Sequence, residues 1–275
     1  MNAQGSHRFL RDPRLPFVEV RDARDARATR YGRHSHDTVS VGLVTGGRSR
    51  YVHERGYDDV DAGTVVLMNP GAMHACNPEP GSAWSYRMAY IDAAWWRRLQ
   101  AELDADRAGG LREFDVTSTR DPALGARVTR VCARLADPHA DALARHEAVV
   151  DLATALHERT IAAARDAASP GLARVAEALT QCCDQAFSLA DLCVIAGLSE
   201  AHLVRSFKRR YGMTPHAFLI DRRIQRSRQE LRRGRAIADV AAEFGFADQA
   251  HLQRTFRRLH ATTPGQYRGP LTPIA

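Results

Sequence analysis

The chain has 275 residues, with 39 Lys+Arg against 32 Asp+Glu and a formal net charge of +7 at pH 7. At 44% hydrophobic and 26% charged residues it has the composition of an ordinary folded protein. That excludes a disordered or fibrous chain, and the length suggests two domains. No run of 18 apolar residues occurs, so no transmembrane helix and no membrane partner are expected. Met1 to Pro16 is polar and Arg-rich and lacks the apolar core of a signal peptide, which makes the cytoplasm the expected compartment. The five cysteines, Cys76, Cys132, Cys182, Cys183 and Cys193, are odd in number and follow no zinc spacing. They read as small buried hydrophobes, with a thiol switch at Cys182-Cys183 as the alternative.

Phe17 to about Trp96 reads as strands. Val39–Val44, Arg50–His53, Gly63–Met68 and Tyr86–Ile91 are short β-branched or aromatic runs, punctuated by Gly46-Gly47, Asp58-Asp59 and Asn69-Pro70-Gly71. Their even spacing predicts a small barrel or sandwich. From Pro122 the period changes. Leu124, Val128, Val131 and Leu135 form a helical stripe, Pro138 breaks it, and Val149, Leu152, Ala153, Leu156 and Ile161 form a second one. These two helices either pack on the barrel or pair with a second copy of the chain. The segment 167–171, Ala-Ala-Ser-Pro-Gly, reads as a linker, and beyond Leu172 every element is helical. The expected fold is α+β: a barrel over residues 1–120, a helical segment over 121–165 with possible dimerisation, a linker over 166–171 and an all-helical domain over 172–275.

Charge and repetition both single out the last region. Of the chain's basic and acidic residues, 16 and 9 fall from Pro170 onward, leaving 23 of each before it. The whole excess of positive charge therefore sits in one block, as a polyanion-binding module requires. Within it, Ser188–Arg209 resembles Ala236–Arg258. Gly197 aligns with Gly245, His202 with His251, Arg205 with Arg254, Phe207 with Phe256 and Thr214-Pro215 with Thr263-Pro264. The offset is 48 residues before the turn and 49 after it. Each copy reads as helix, Gly-centred turn, helix. Ser199 and Asp248 stand at the N-cap of the second helix, and Leu203/Phe207 and Leu252/Phe256 anchor it at i and i+4. A turn of this kind lets the second helix enter a major groove while the first crosses the backbone. Two such units read successive groove faces about 34 Å apart. Pro215 to Arg233 is the expected connecting helix, with Arg222, Arg223, Arg226, Arg228, Arg232 and Arg233 placed to meet phosphates.

Residues from about 172 to 268 resemble the DNA-binding domain of the AraC/XylS family of bacterial transcription regulators. The second copy carries the resemblance, with Gly245-Phe246-Ala247-Asp248-Gln249-Ala250-His251, Arg254, Phe256, Thr263-Pro264 and Tyr267-Arg268. Ala261 departs from it, standing where that family usually has Gly; the first copy keeps Gly212. The resemblance implies recognition helices at about Glu200–Arg210 and Asp248–Leu259. Arg205, Gln249, Gln253 and Arg254 are the expected base contacts, Gln253 suiting adenine and Arg suiting guanine. Ala201, Val204 and Ala250 are expected against thymine methyls. Lys208, Arg209, Arg222, Arg226, Arg257 and Arg258 are expected at phosphates.

His34-Ser35-His36 before a strand, followed by Gly63–Asn77 with His74, looks like a degenerate cupin barrel, a sensor domain carried by many members of that family. A cupin metal site adds a Glu, and Val39–Val44 holds no acid. The residues leave open a three-His site, barrel-lip histidines or a small-molecule pocket. We expect the pocket, lined by His34, His36, Tyr51, His74, Trp84 and Tyr86, with no metal, no cofactor and no catalytic residue. The implied protein is an effector-controlled regulator, an activator, with promoter DNA, a small-molecule effector, RNA polymerase and a second copy of itself as partners. The rivals are a metal-dependent cupin enzyme with a DNA-binding tail and a non-specific nucleoid protein.

Overall fold

The computed structural model describes residues 6–26, 30–104, 112–162 and 170–268. They group into two compact units. The first holds the described residues up to Arg30 and those of His36–Ala164. The second holds Tyr31–Ser35 together with the described residues of Arg165–Gly269. The expected linker residues 166–169 lie outside the described residues, and 170 and 171 open a helix. No described helix is long and apolar enough to cross a membrane.

In the first unit the strands are β1 (Ser6–Leu10), β2 (Val18–Arg24), β3 (Thr38–Gly46), β4 (Arg48–His53), β5 (Gly56–Asp61), β6 (Val65–Met68), β7 (Ala75–Pro78) and β8 (Ser85–Asp92). Helix α1 (Ala93–Leu103), strands β9 (Arg112–Phe114) and β10 (Ser118–Thr119), helices α2 (Pro122–Ala136) and α3 (Ala142–His157) and strand β11 (Thr160–Ala162) complete it. Six strands run in the order β1-β2-β8-β3-β6-β10, three in the order β5-β4-β7, and β11 pairs with β9. Because side chains alternate across a strand, the large sheet has two working faces. Val18, Val20, Val39, Val41, Ala89 and Ile91 join one apolar cluster with the α2 stripe and with Val149, Leu152, Ala153 and Leu156 of α3, whereas Ile161, expected to continue that stripe, is exposed on β11. Ala23, Val44, Tyr86, Met88 and Tyr90 join the other, which includes Tyr51 and Val60 of the small sheet.

The expected stripe Leu124, Val128, Val131 and Leu135 is fully buried in α2, which Asp121 caps and Pro122 opens. Asp141 caps α3. Trp96 of α1 is buried in the same cluster, and Trp95 stacks on Phe17 at 4.4 Å. All five cysteines are free. Burial pushes the Cys76 thiol up to about 11 and the Cys132 thiol up to about 12, consistent with inert packing residues.

The second unit's helices are α4 (Pro170–Gln181), α5 (Leu189–Ala196), α6 (Glu200–Tyr211), α7 (Pro215–Arg232), α8 (Ile237–Glu243), α9 (Gln249–His260) and α10 (Pro264–Arg268). Ser188 and Asp191 form a reciprocal capping box on α5, and Gly197 ends it in the left-handed region at φ 67°. The second copy lacks that box, since Ala236 at the N-cap of α8 makes no side-chain bond, while Asp248 accepts the His251 N–H at the start of α9. Ser199 occupies the N-cap of α6 but its hydroxyl makes no capping bond. At the helix ends the copies diverge as their sequences do. Gly212 takes φ 70° after α6, whereas Ala261 is forced to φ 52° after α9, at a cost of about 1 kcal/mol for the Cβ in that region. Leu203, Phe207, Leu252 and Phe256 are fully buried.

Candidate nucleic-acid interface and effector pocket

On α6, Ala201, Arg205, Lys208 and Arg209 are exposed and Val204 is half-buried. On α9, Gln249, Ala250, Arg254, Arg257 and Arg258 are exposed and Gln253 is half-buried. Within each helix the spacing by three and four residues places them along one side, opposite the Leu/Phe anchors. The Arg205 guanidinium folds back so that Nε donates to the Ala201 carbonyl at 3.2 Å. Each copy thus presents guanidinium groups along the middle and last turns of its second helix, with carboxamides at the first and middle turns of α9. These are the groups that read guanine and adenine edges in a major groove.

Helix α7 corrects part of the sequence reading. Arg226 is exposed and fit to meet a phosphate, but Arg222 is buried, where its guanidinium donates to Asp221 Oδ2 at 2.7 Å and to the Ser35 hydroxyl. Arg223 also turns inward. Its Nε donates to the Cys183 carbonyl at 2.8 Å, Nη2 to Gln185 at 2.9 Å and Nη1 to Gly245 at 2.8 Å. One side chain thereby ties the residues leading into α5 to the turn between α8 and α9. Burial lowers its pKa from the usual guanidinium range. Run as a string of letters, the five arginines of this helix look alike. Only the tertiary packing around α7 decides which of them face inward.

The inner face of the first unit collects rings. His36 and His74 lie 4.9 Å apart, and His36 meets Tyr90 edge-on at 5.0 Å. Tyr51 stands 6.4 Å from His74 and donates its hydroxyl to the Leu67 carbonyl at 3.2 Å. His74 Nδ1 lies 2.9 Å from the Ala72 carbonyl oxygen, which it meets as a donor. Trp84 and Tyr86 pair at 5.6 Å. The Trp84 indole N–H is buried and has no hydrogen-bond partner among the described residues, leaving a donor for a bound group. Of the expected lining, the structure brings together His36, Tyr51 and His74, and separately Trp84 and Tyr86. His34 belongs to the stretch grouped with the helices, where its ring lies 5.4 Å from His260.

The sequence reading overlooked the cation of this face. Arg21 is buried, with its guanidinium 5.2 Å from the Phe9 ring and 5.9 Å from Tyr86. Its Nη2 stands 3.1 Å from His7 Nδ1. Burial first, and the Arg21 charge second, push the His7 imidazole down to about 3, so that it is neutral and able to accept this bond. Strand alternation with Val20 was the available signal, but an arginine on an alternating strand reads equally well as solvated.

The sequence matches a family profile described as an AraC-like ligand binding domain over residues 17–155, just over half of the chain, and a helix-turn-helix domain over residues 192–269. An uncharacterized HTH-type transcriptional regulator, YbfI of Bacillus subtilis, is 25% identical over 227 residues, 81% of this chain and 82% of its own length. The HTH-type transcriptional regulator MtrA of Neisseria gonorrhoeae is 36% identical over 74 residues, about a quarter of each chain. Among solved structures, ToxT of Vibrio cholerae shares the fold with a TM-score of 0.58, at 11% identity over 94% of this chain and 99% of its own. A ToxT structure described as bound to an unsaturated fatty acid gives a TM-score of 0.57 at 15% identity, covering 100% of this chain and 99% of its own. Two sequence profiles of one regulator type, in the order ligand-binding then helix-turn-helix, account for both halves of the molecule. The chain belongs to the AraC family of transcription regulators.

Proposed function

We propose that this regulator reads a two-segment promoter site with α6 and α9 and activates transcription under the control of a small molecule held on the inner face of the first unit. The observation that carries the reading is the pair of arginine-bearing outer faces on two equivalent helices, with Gln249 and Gln253 added on α9. Arg205 of α6 and Gln249, Gln253 and Arg254 of α9 take bases, and Ala201, Val204 and Ala250 take thymine methyls. Lys208, Arg209, Arg226, Arg257 and Arg258 take phosphates. By family resemblance it works as a homodimer, meets RNA polymerase at promoters in the cytoplasm, and carries no cofactor and no catalysis.

Selection from random duplexes at physiological salt tests the reading. Wild type is expected to enrich two segments about one helical turn apart. Arg254→Ala is expected to relax one segment and weaken binding about tenfold to a hundredfold, the worth of one bidentate base contact. Salt-sensitive binding without enrichment would withdraw the regulator reading in favour of a non-specific DNA-binding protein.

We propose further that the effector is an acid with an apolar body. The ring-lined inner face supplies the apolar contact, and Arg21 with the Trp84 N–H supplies the donors that a carboxylate meets. The ToxT structure described as fatty-acid bound supports the same class. All three tryptophans, Trp84, Trp95 and Trp96, lie in the first unit, so their fluorescence follows its melting alone. An unsaturated fatty acid is expected to raise that melting temperature, while its methyl ester leaves it unchanged. Equal shifts from both would remove the carboxylate from the proposal.

A further inference from the structure

The DNA-reading unit is not made of one stretch of chain. Five residues encoded between β2 and β3, Tyr31–Ser35, are part of it, and their bonds to it are specific. The Gly32 N–H donates to the Arg258 carbonyl at 2.8 Å, in the last turns of α9. A Cβ at Gly32 would stand 3.3 Å from Leu259 Cδ2 and 3.4 Å from the Arg258 carbonyl oxygen. The Ser35 N–H and hydroxyl donate to the two oxygens of Asp221 at 3.2 and 2.6 Å. Gln225 Nε2 donates to the Ser35 carbonyl at 2.5 Å. His34 and Ser35 are buried, as are Asp221, Gln225 and His260.

Asp221 explains why the segment matters. It is a buried carboxylate on the middle of α7, and a buried charge needs several donors to be tolerated. Arg222 supplies one; Ser35 supplies two more. At its other end the segment holds the backbone of α9 four residues beyond Arg254. The segment is therefore a strap from α7 to α9, and it meets α9 at Arg258–His260, beyond the residues assigned to base contact.

We infer that Gly32 and Ser35, residues of the N-terminal half of the sequence, are positioning residues for DNA recognition by α9, the strap fixing the angle at which Arg254 and Gln253 are presented. A reading group must be held to within about 0.5 Å and 10–20° to work, and a bond to a backbone carbonyl at the helix end with a buried carboxylate anchor supplies that hold. Ser35 is followed in the chain by His36, a member of the proposed effector pocket. The inference rests on α9 reading DNA.

The test uses the full chain and the same random-duplex selection, with four variants beside wild type. Ser35→Ala removes the hydroxyl from Asp221, and Ser35→Thr keeps it. Gly32→Val pushes on Leu259 and the Arg258 carbonyl while leaving Asp221 untouched. Arg254→Ala marks which segment α9 reads. Ser35→Ala and Gly32→Val are each expected to blur the Arg254 segment and weaken binding about tenfold. The other segment should stay sharp, and Ser35→Thr should restore the wild-type site. An Arg254 segment that remains sharp in both Ser35→Ala and Gly32→Val overturns the strap. So does equal blurring of both segments, which is what a general loss of folding gives. If Arg254→Ala itself blurs nothing, the failure lies in the assignment of α9 as a reader.

Discussion

Arg223→Ala is expected to destabilise the helical unit by about 4 kcal/mol, because a buried charged donor leaves three carbonyl acceptors unmade at once. The three acceptors, Cys183, Gln185 and Gly245, lie at the entrance to the first helix-turn-helix copy and in the turn of the second. The loss is therefore also a loss of their mutual alignment. Binding of a two-segment site is expected to fall on the order of a hundredfold, with single-segment binding less affected. Arg223→Lys keeps the charge but replaces a planar fork by a point donor that cannot span three carbonyls, so it should recover only part of the stability. Urea unfolding followed at 222 nm reports the helices, while tryptophan fluorescence reports the first unit. A helical transition unmoved by Arg223→Ala would show that the three bonds are replaced by water without consequence.

In the first unit the largest single effect is expected at Arg145. This side chain is fully buried on α3, donating to Asp12 Oδ2 at 2.7 Å, to the Asp137 carbonyl at 2.6 Å and to the Arg134 carbonyl at 3.2 Å. It joins the turn after β1 to the end of α2. Arg145→Ala removes one of the two guanidinium partners of the buried Asp12 carboxylate, Arg14 remaining, and leaves the Asp137 and Arg134 carbonyls without their donor, at a cost of about 3 kcal/mol. The tryptophan-reported transition should shift accordingly, with the DNA site preference unchanged.

Asp12 also sets a pH dependence. A side-chain bond from Arg14 above all, then its backbone N–H and Arg145, hold the Asp12 carboxyl well below the usual carboxylate range, against the opposing pull of burial. A depressed folded pKa means that the unfolded chain takes up the proton first. The stabilisation is whole above about pH 4–5 and fades as pH falls below the unfolded value near 4. Between pH 5 and 3 the first unit of wild type should lose stability faster than that of Asp12→Asn. Parallel slopes for the two proteins would refute the assignment.

Much of this was legible in the letters. The repeated helix-turn-helix pattern survives reading without coordinates because its signals are local. A left-handed turn needs Gly197 or Gly245, a helix start needs a side chain such as Asp248, and a helix that must bury one side repeats its Leu and Phe at i and i+4. The stripe of α2, the runs of β3, β4, β6 and β8, and the departure at Ala261 were legible for the same reason. Helical periodicity also marks which faces of α6 and α9 remain outside once Leu203, Phe207, Leu252 and Phe256 are inside.

What only the tertiary structure decided is the fate of the polar residues. An arginine carries the same donors whether it meets a phosphate, a carboxylate or a set of carbonyls, and sequence gives no measure of which neighbour arrives. Thus Arg222 and Arg223 turned inward while Arg226 stayed out, Arg21 entered the ring-lined face and Arg145 became a buried tie. Likewise nothing local marks Tyr31–Ser35 as part of the helical unit. Its partners, Asp221, Gln225 and Arg258, lie 186 to 226 residues along the chain, and contacts at that separation are set by how distant elements fold together rather than by any neighbouring residue. The sequence by itself determined that this chain carries two equivalent helix-turn-helix copies. The packing determined which residues hold those copies in place.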